Sequence, residues 1–176
     1  MPNLRTTLIV LLAVTLLATI AACVIRQPQA MTPSITYLHL LRHTPFFTEL
    51  ESDQLRRVIR HSREWEVSPH ATIVTSAHPE EGRGYWVLLD GGWELRLKGQ
   101  VYASGHDDAG KWFNPALLGD DDFELVASAH SYVMHITAAD MDDMLAGGYR
   151  FGRHLDAGRT FYRALVTTAQ KADAAP

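Results

Sequence analysis

Cysteine is nearly missing from this chain of 176 residues, and the single one, Cys23, leaves no partner for an internal disulfide. No Gly-x-Ser-x-Gly run occurs, and no glycine-rich loop lies between a strand pattern and a helix pattern, so neither a serine nucleophile on a sharp turn nor a phosphate-cradling loop is encoded. Basic residues are scarce where a nucleic-acid surface would need them: between Asp107 and Asp143 there are nine acids and only Lys111 as a base. With 16 lysines and arginines against 20 acids, the net charge of −4 argues the same way for the whole chain. Nucleic-acid binding is not expected.

What the chain has is apolar content and β-pattern. A hydrophobic share of 47% over this length is enough for one domain with a real core. Tyr85-Trp86-Val87-Leu88-Leu89 and Trp93-Glu94-Leu95-Arg96-Leu97-Lys98 flank Asp90-Gly91-Gly92, a sequence that tolerates positive φ and predicts a hairpin. In the second run Trp93, Leu95 and Leu97 share one face and Glu94, Arg96 and Lys98 the other, the signature of a half-buried strand. Lys98-Gly99-Gln100 turns into Val101-Tyr102-Ala103, and residues 124–127 and 132–136 add short β-rich segments. Such spacing predicts a mainly β domain, a sandwich or small barrel, with flanking helices. Trp86, Trp93, Trp112, Tyr102 and Phe113 then read as core filling and lining of that β-structure.

The N-terminus is different in kind. Residues 8–25 carry no charge, and at about 1.5 Å per residue this run reaches about 27 Å, the span of a hydrocarbon core. It ends in Ile20-Ala21-Ala22-Cys23, which resembles the lipobox of bacterial lipoproteins, where small residues precede a cysteine that is lipidated and becomes the new terminus. Two alternatives stand: lipidation at Cys23 after signal cleavage, or an uncleaved transmembrane anchor over residues 1–25. Both tether the chain to a membrane. The amino terminus with Arg5 before the run, against Arg26 after it, gives a slight charge bias that favours the N-terminus inside and the domain on the periplasmic side. Residues 26–34, with two prolines, read as a linker, residues 35–172 as the domain, and residues 173–176 as a tail.

Within the domain, residues 36–41 are apolar and short, His43-Thr44-Pro45-Phe46-Phe47 breaks the run, and residues 51–60 predict a helix. Glu51 or Ser52 begins that helix, acids precede arginines along it, and Leu55, Val58 and Ile59 make its buried stripe. A short helix, a second helix, about eight strands and a C-terminal helical segment, in this order, together resemble the cyclic nucleotide-binding domain, the cAMP-receptor-type β-roll or double-stranded β-helix (jelly roll), over about residues 36–172. The resemblance implies a phosphate-binding cassette where Gly110, Lys111, Trp112, Phe113, Asn114, Pro115, Ala116, Leu117 and Leu118 stand. The apolar frame of that cassette is kept by Phe113, Ala116, Leu117 and Leu118. Its polar positions are not: Pro115 occupies the place of the glutamate that takes the ribose hydroxyl, and Asp120, Asp121 and Asp122 occupy the arginine region. Proline removes a donor and three carboxylates repel an anion, so the usual binding of cAMP or cGMP is not expected. Regulators of this kind carry a helix-turn-helix after the last helix, and no such segment precedes Pro176.

Nine histidines invite a metal reading. His130 and His135 are an odd number apart and fall on opposite faces of a continuous strand. Metal-binding cupins show His-x-His, which is absent here. His106, Asp107 and Asp108 with Asp120, Asp121 and Asp122 offer nitrogen and oxygen ligands, and make a metal-assisted periplasmic enzyme of the 106–122 region the alternative reading. Glu80-Glu81 reads as a polar loop tip. In the C-terminal segment Phe151, Leu155, Gly158, Phe161, Tyr162 and Leu165 recur at helical spacing. The resemblance implies a helix that covers the roll and pairs with its twin, so Phe151, Leu155, Phe161 and Leu165 are the candidate face of a homodimer, with packing on the same chain as the alternative. The reading is a membrane-tethered, non-enzymatic, ligand-sensing or protein-interaction domain with no catalytic residues, no metal and no cofactor; its small ligand or protein partner is unnamed.

Overall fold

A computed structural model describes residues 31–78 and 83–173. The expected anchor with Cys23, most of the 26–34 linker, the Glu80-Glu81 turn and residues 174–176 lie outside the described residues. Among the described residues no helix is long and apolar enough to cross a membrane.

Among the described residues nine strands form two antiparallel sheets packed face to face: β1 (Met31–Pro33), β2 (Ser62–Val67), β3 (Thr72–Thr75), β4 (Tyr85–Asp90), β5 (Gly92–Leu97), β6 (Gln100–Gly105), β7 (Trp112–Phe113), β8 (Phe123–Ala127) and β9 (Ser131–Ile136). The first sheet has the order β1-β2-β9-β4-β7 and the second β3-β8-β5-β6. Four helices accompany them: α1 (Leu38–His43), α2 (Ser52–Arg60), α3 (Ala138–Ala146) and α4 (Gly152–Asp173), with 3-10 turns at Pro45–Phe47 and Pro115–Leu117.

The two sheets bury their residues differently, and the sequence pattern follows. Trp86 and Leu88 of β4 join Trp93, Leu95, Leu97, Leu125 and Val133 in the core between the sheets. Val87 and Leu89 point the other way, into a second core under α1, α2 and α3 with Phe46, Phe47, Met134, Ile136 and Phe151. Covered on both faces, β4 therefore reads as a continuous apolar run. The outer face of the second sheet is in water, so β5 alternates, and Arg96 there reaches Glu124 at 3.2 Å while Thr72 donates to the same carboxylate at 2.6 Å.

That difference corrects the expected hairpin at Asp90-Gly91-Gly92. β4 pairs with β9 and β7, whereas β5 pairs with β6 and β8, so the turn carries the chain from one sheet to the facing one. Gly91 has φ +85°, and a Cβ there would stand 2.5 Å from the His130 carbonyl oxygen. Asp-Gly marks a reversal; it does not say which strand the reversed chain will pair with. The hairpin lies one turn later, where Lys98 and Gly99 both take positive φ and Leu97 faces Gln100.

Of three further expectations, one holds and two shift. Met31–Pro33, read as linker, pairs with residues 65–67 at the sheet edge, where a proline is tolerated. Glu51 is the residue before α2, and its backbone N–H donates to the Gln54 side chain at 3.0 Å. The dimer face on α4 is corrected more strongly: Phe151, Leu155 and Leu165 are buried against the chain's own cores and Phe161 is half-buried beside Tyr162, so the stripe is intramolecular packing.

Candidate functional site

The cassette-like loop lies at the edge of the sandwich formed by β6 and β7. β6 ends at Gly105, whose N–H donates to the Asp108 carboxylate at 2.7 Å, and the following turn delivers Gly110 into the interior. The Gly110 carbonyl accepts from the Trp93 indole at 2.9 Å and from the Tyr162 hydroxyl at 3.2 Å. Burial pushes the Tyr162 hydroxyl far above its ordinary pKa, so it remains a neutral donor. The Trp112 indole donates to the His154 carbonyl at 2.7 Å.

Helix α4 closes on this loop without room to spare. A Cβ on Gly110 would stand 2.2 Å from the Ser104 hydroxyl, and one on Gly158 would stand 2.2 Å from the Trp112 indole nitrogen. Of the apolar frame expected of a cassette, Phe113 and Leu118 are buried, Leu117 is half-buried and Ala116 is exposed, and Trp112 is buried beside them. Lys111 and Asn114 are engaged within the loop. Lys111, only 8% exposed, donates to the Asp107 carbonyl at 2.9 Å, and burial lowers its pKa while Asp107 and Asp108 oppose that shift. Asn114 accepts from the Ala116 N–H at 3.0 Å and so caps the short turn that Pro115 begins. Beyond it Asp120 is exposed, Asp121 pairs with Lys98 at 3.0 Å, and Asp122 accepts from Ser76 at 3.1 Å.

The alternative metal region is not assembled. Among the described residues no three histidine, cysteine or acidic side chains gather as a metal would need. His106 stands 3.7 Å from Asp90 and 3.5 Å from Asp107, at the end of β6 opposite to the Lys98 turn that holds Asp121. The length of β6 separates the two groups. His130 meets Glu66 at 2.6 Å, away from His135.

At the opposite edge of the sandwich, between β2 and β3, a cavity of about 940 Å³ opens. Arg63, His135 and Trp86 lie side by side across β2, β9 and β4 on its wall. Trp86 is flanked by Trp65, ring centroids 5.4 Å apart, and by His135 at 4.7 Å. Burial lowers the His135 pKa, and one ring nitrogen of this histidine sits 3.0 Å from the Arg83 carbonyl. Gly84 allows that contact, since a Cβ there would stand 2.7 Å from the His135 ring. The Trp86 indole nitrogen is buried and finds no acceptor among the described residues, and neither does the Ser62 hydroxyl find a partner.

On the rim, α2 ends at Arg60 and α3 begins after Thr137. Asp140 there accepts from Thr137 at 2.6 Å and pairs with His61 at 2.8 Å; the Thr137 hydroxyl, with a smaller part from His61, holds its carboxyl below the ordinary value. Sequence reasoning placed Trp86 in the core and left Trp65, Arg60 and Arg63 aside. The register that aligns Arg63, His135 and Trp86 joins segments more than twenty residues apart in the chain, and no local pattern reveals it.

No family model and no curated protein matches the chain. Solved structures do. A cAMP-bound PfPKA-R fragment is similar at a TM-score of 0.56 and 17% identity, over 75% of this chain and 45% of that one, so the chain spans less than half of it. The sensor domain of the transcriptional regulator DNR from Pseudomonas aeruginosa is similar at 0.52 and 15% identity, covering 71% and 91%. A putative cyclic nucleotide-binding protein from Geobacter metallireducens is similar at 0.51 and 19% identity, covering 75% and 98%. At such identities the likeness speaks of fold alone, and the fold of this chain is that of the cyclic nucleotide-binding domains, a two-sheet β-roll with flanking helices.

Proposed function

We propose that the chain is a membrane-tethered, non-enzymatic sensing module that does not take cAMP or cGMP in the manner of its structural neighbours. The observation that carries this reading is the closure around Gly110, where Trp93 and Tyr162 donate to the one carbonyl and α4 packs through Gly158 onto Trp112. A loop whose aromatic and polar groups satisfy each other offers a phosphate neither space nor charge. Tethering rests on the uncharged run of residues 8–25 and the lipobox-like Ile20-Ala21-Ala22-Cys23, and the charge flanking that run favours a periplasmic domain.

A ligand that binds only the folded chain raises its stability by RT ln(1 + [L]/Kd), about 2.7 kcal/mol at a hundredfold excess over Kd. Thermal melts of the full chain with millimolar cAMP or cGMP are expected to show no shift; a clear rise contradicts the reading. The intact mass of the membrane-extracted protein tests the tether: an acylated chain beginning at Cys23 or an unprocessed chain supports it, and a cleaved, unacylated chain removes it.

A further inference from the structure

The cavity between β2 and β3 has a chemistry of its own, which the sensing reading leaves unspecified. Its floor is aromatic, built from Trp65 and Trp86. Its rim carries Arg60 and Arg63, both exposed, and neither makes an ion pair among the described residues. The acid beside them, Asp140, is already held by Thr137 and His61. Trp86 is 4% exposed, and its indole N–H lacks an acceptor among the described residues, whereas buried donors in folded proteins nearly always have one. A volume of about 940 Å³ lies within the range of small-molecule sites.

We propose that this cavity binds a planar aromatic carboxylate, its ring system against Trp65 and Trp86 and its oxygens taking the donors of Arg60, Arg63 and the Trp86 indole. Each part of such a ligand answers a group the protein leaves unanswered. Fused rings match the tilted pair of indoles, which bind flat apolar faces. A carboxylate is the geometric partner of a guanidinium and the strongest acceptor for a buried N–H. Burial lowers the His135 pKa, so this ring adds an uncharged wall at neutral pH. A neutral arene would leave both arginines and the indole without acceptors, and an aliphatic acid would leave the indoles uncovered.

The inference rests on the sensing reading, and its test separates the two. The full chain in lipid nanodiscs, with empty nanodiscs as the blank, is titrated with 2-naphthoate and with the neutral 2-naphthalenemethanol, by calorimetry and by the indole N–H signals in a 1H–15N spectrum. 2-Naphthoate is expected to bind and to move the Trp65 and Trp86 signals while leaving Trp93 and Trp112 in place. Arg63→Gln combined with Arg60→Gln, both at exposed positions, is expected to weaken that binding by about tenfold or more. If the neutral arene binds equally well, or the double variant binds 2-naphthoate as tightly as the parent, the carboxylate assignment is overturned and the sensing reading stands. If neither compound moves Trp65 or Trp86, the proposal falls and the cavity ceases to support sensing.

Discussion

The two edges of the β-roll are built from the same materials and finished in opposite ways. At the β6–β7 edge, Trp93 and Trp112 each donate to a carbonyl of the chain, and α4 lies against them with no room for a single added carbon at Gly158. At the β2–β3 edge, the Trp86 indole finds no acceptor among the described residues and two arginines line an open cavity. Aromatic residues alone thus do not tell a core from a pocket. What distinguishes the indoles is whether each N–H has an acceptor among the described residues; the His154 ring beside Trp112 also carries a buried nitrogen without a partner there.

Removing one side chain from each edge should expose the contrast most strongly. Trp112→Ala deletes a buried ring and the bond to His154 and should cost about 3–5 kcal/mol in stability. Arg63→Gln, at an exposed position, should change stability by no more than about 0.5 kcal/mol. Chemical denaturation of the two variants checks both values. Comparable losses would mean that the cavity edge is as much a packed core as the cassette edge.

Acid sharpens the comparison on a smaller scale, because one half-buried histidine stands near each edge. Burial lowers the pKa of His135 by the cavity and of His154 beside Trp112, the latter helped by Lys111 and Arg153. Between the depressed folded value and the ordinary 6.5, the unfolded chain binds more protons than the folded one. Stability is therefore full above 6.5 and is lost as pH falls through that window. The thermal midpoint should decline there, and His135→Gln should remove the part of the slope that belongs to the cavity edge. A midpoint that is flat through the same window would contradict the burial of both rings.

The sequence carried the β-alternation of β5, the start of α2 and the stripe on α4 because each is a local pattern with a local cause. The Asp90-Gly91-Gly92 crossing was not legible, since a turn signal fixes the reversal of the chain and leaves its new partner open. The apolar run Val87-Leu88-Leu89 held the missing clue: a strand without alternation has two buried faces and belongs in the covered sheet. Pro115 and the Asp120–Asp122 acids could be read in the sequence as departures from a cassette, but the packing around Gly110 could not. That packing depends on Gly110 and Gly158 letting two elements, far apart in sequence, approach within contact. The cavity was the least legible part, because it rests on the register among β2, β9 and β4 and on an indole that finds no acceptor.

One indole spectrum tests the central claim most directly, because the four tryptophans of the chain divide evenly between the edges, Trp65 and Trp86 at the cavity and Trp93 and Trp112 at the cassette. With millimolar cAMP added to the isotope-labelled full chain, the account predicts that the Trp93 and Trp112 signals stay where they are. Displacement of those two signals, at a concentration dependence that saturates, would show that the cassette opens for a cyclic nucleotide and would contradict the account.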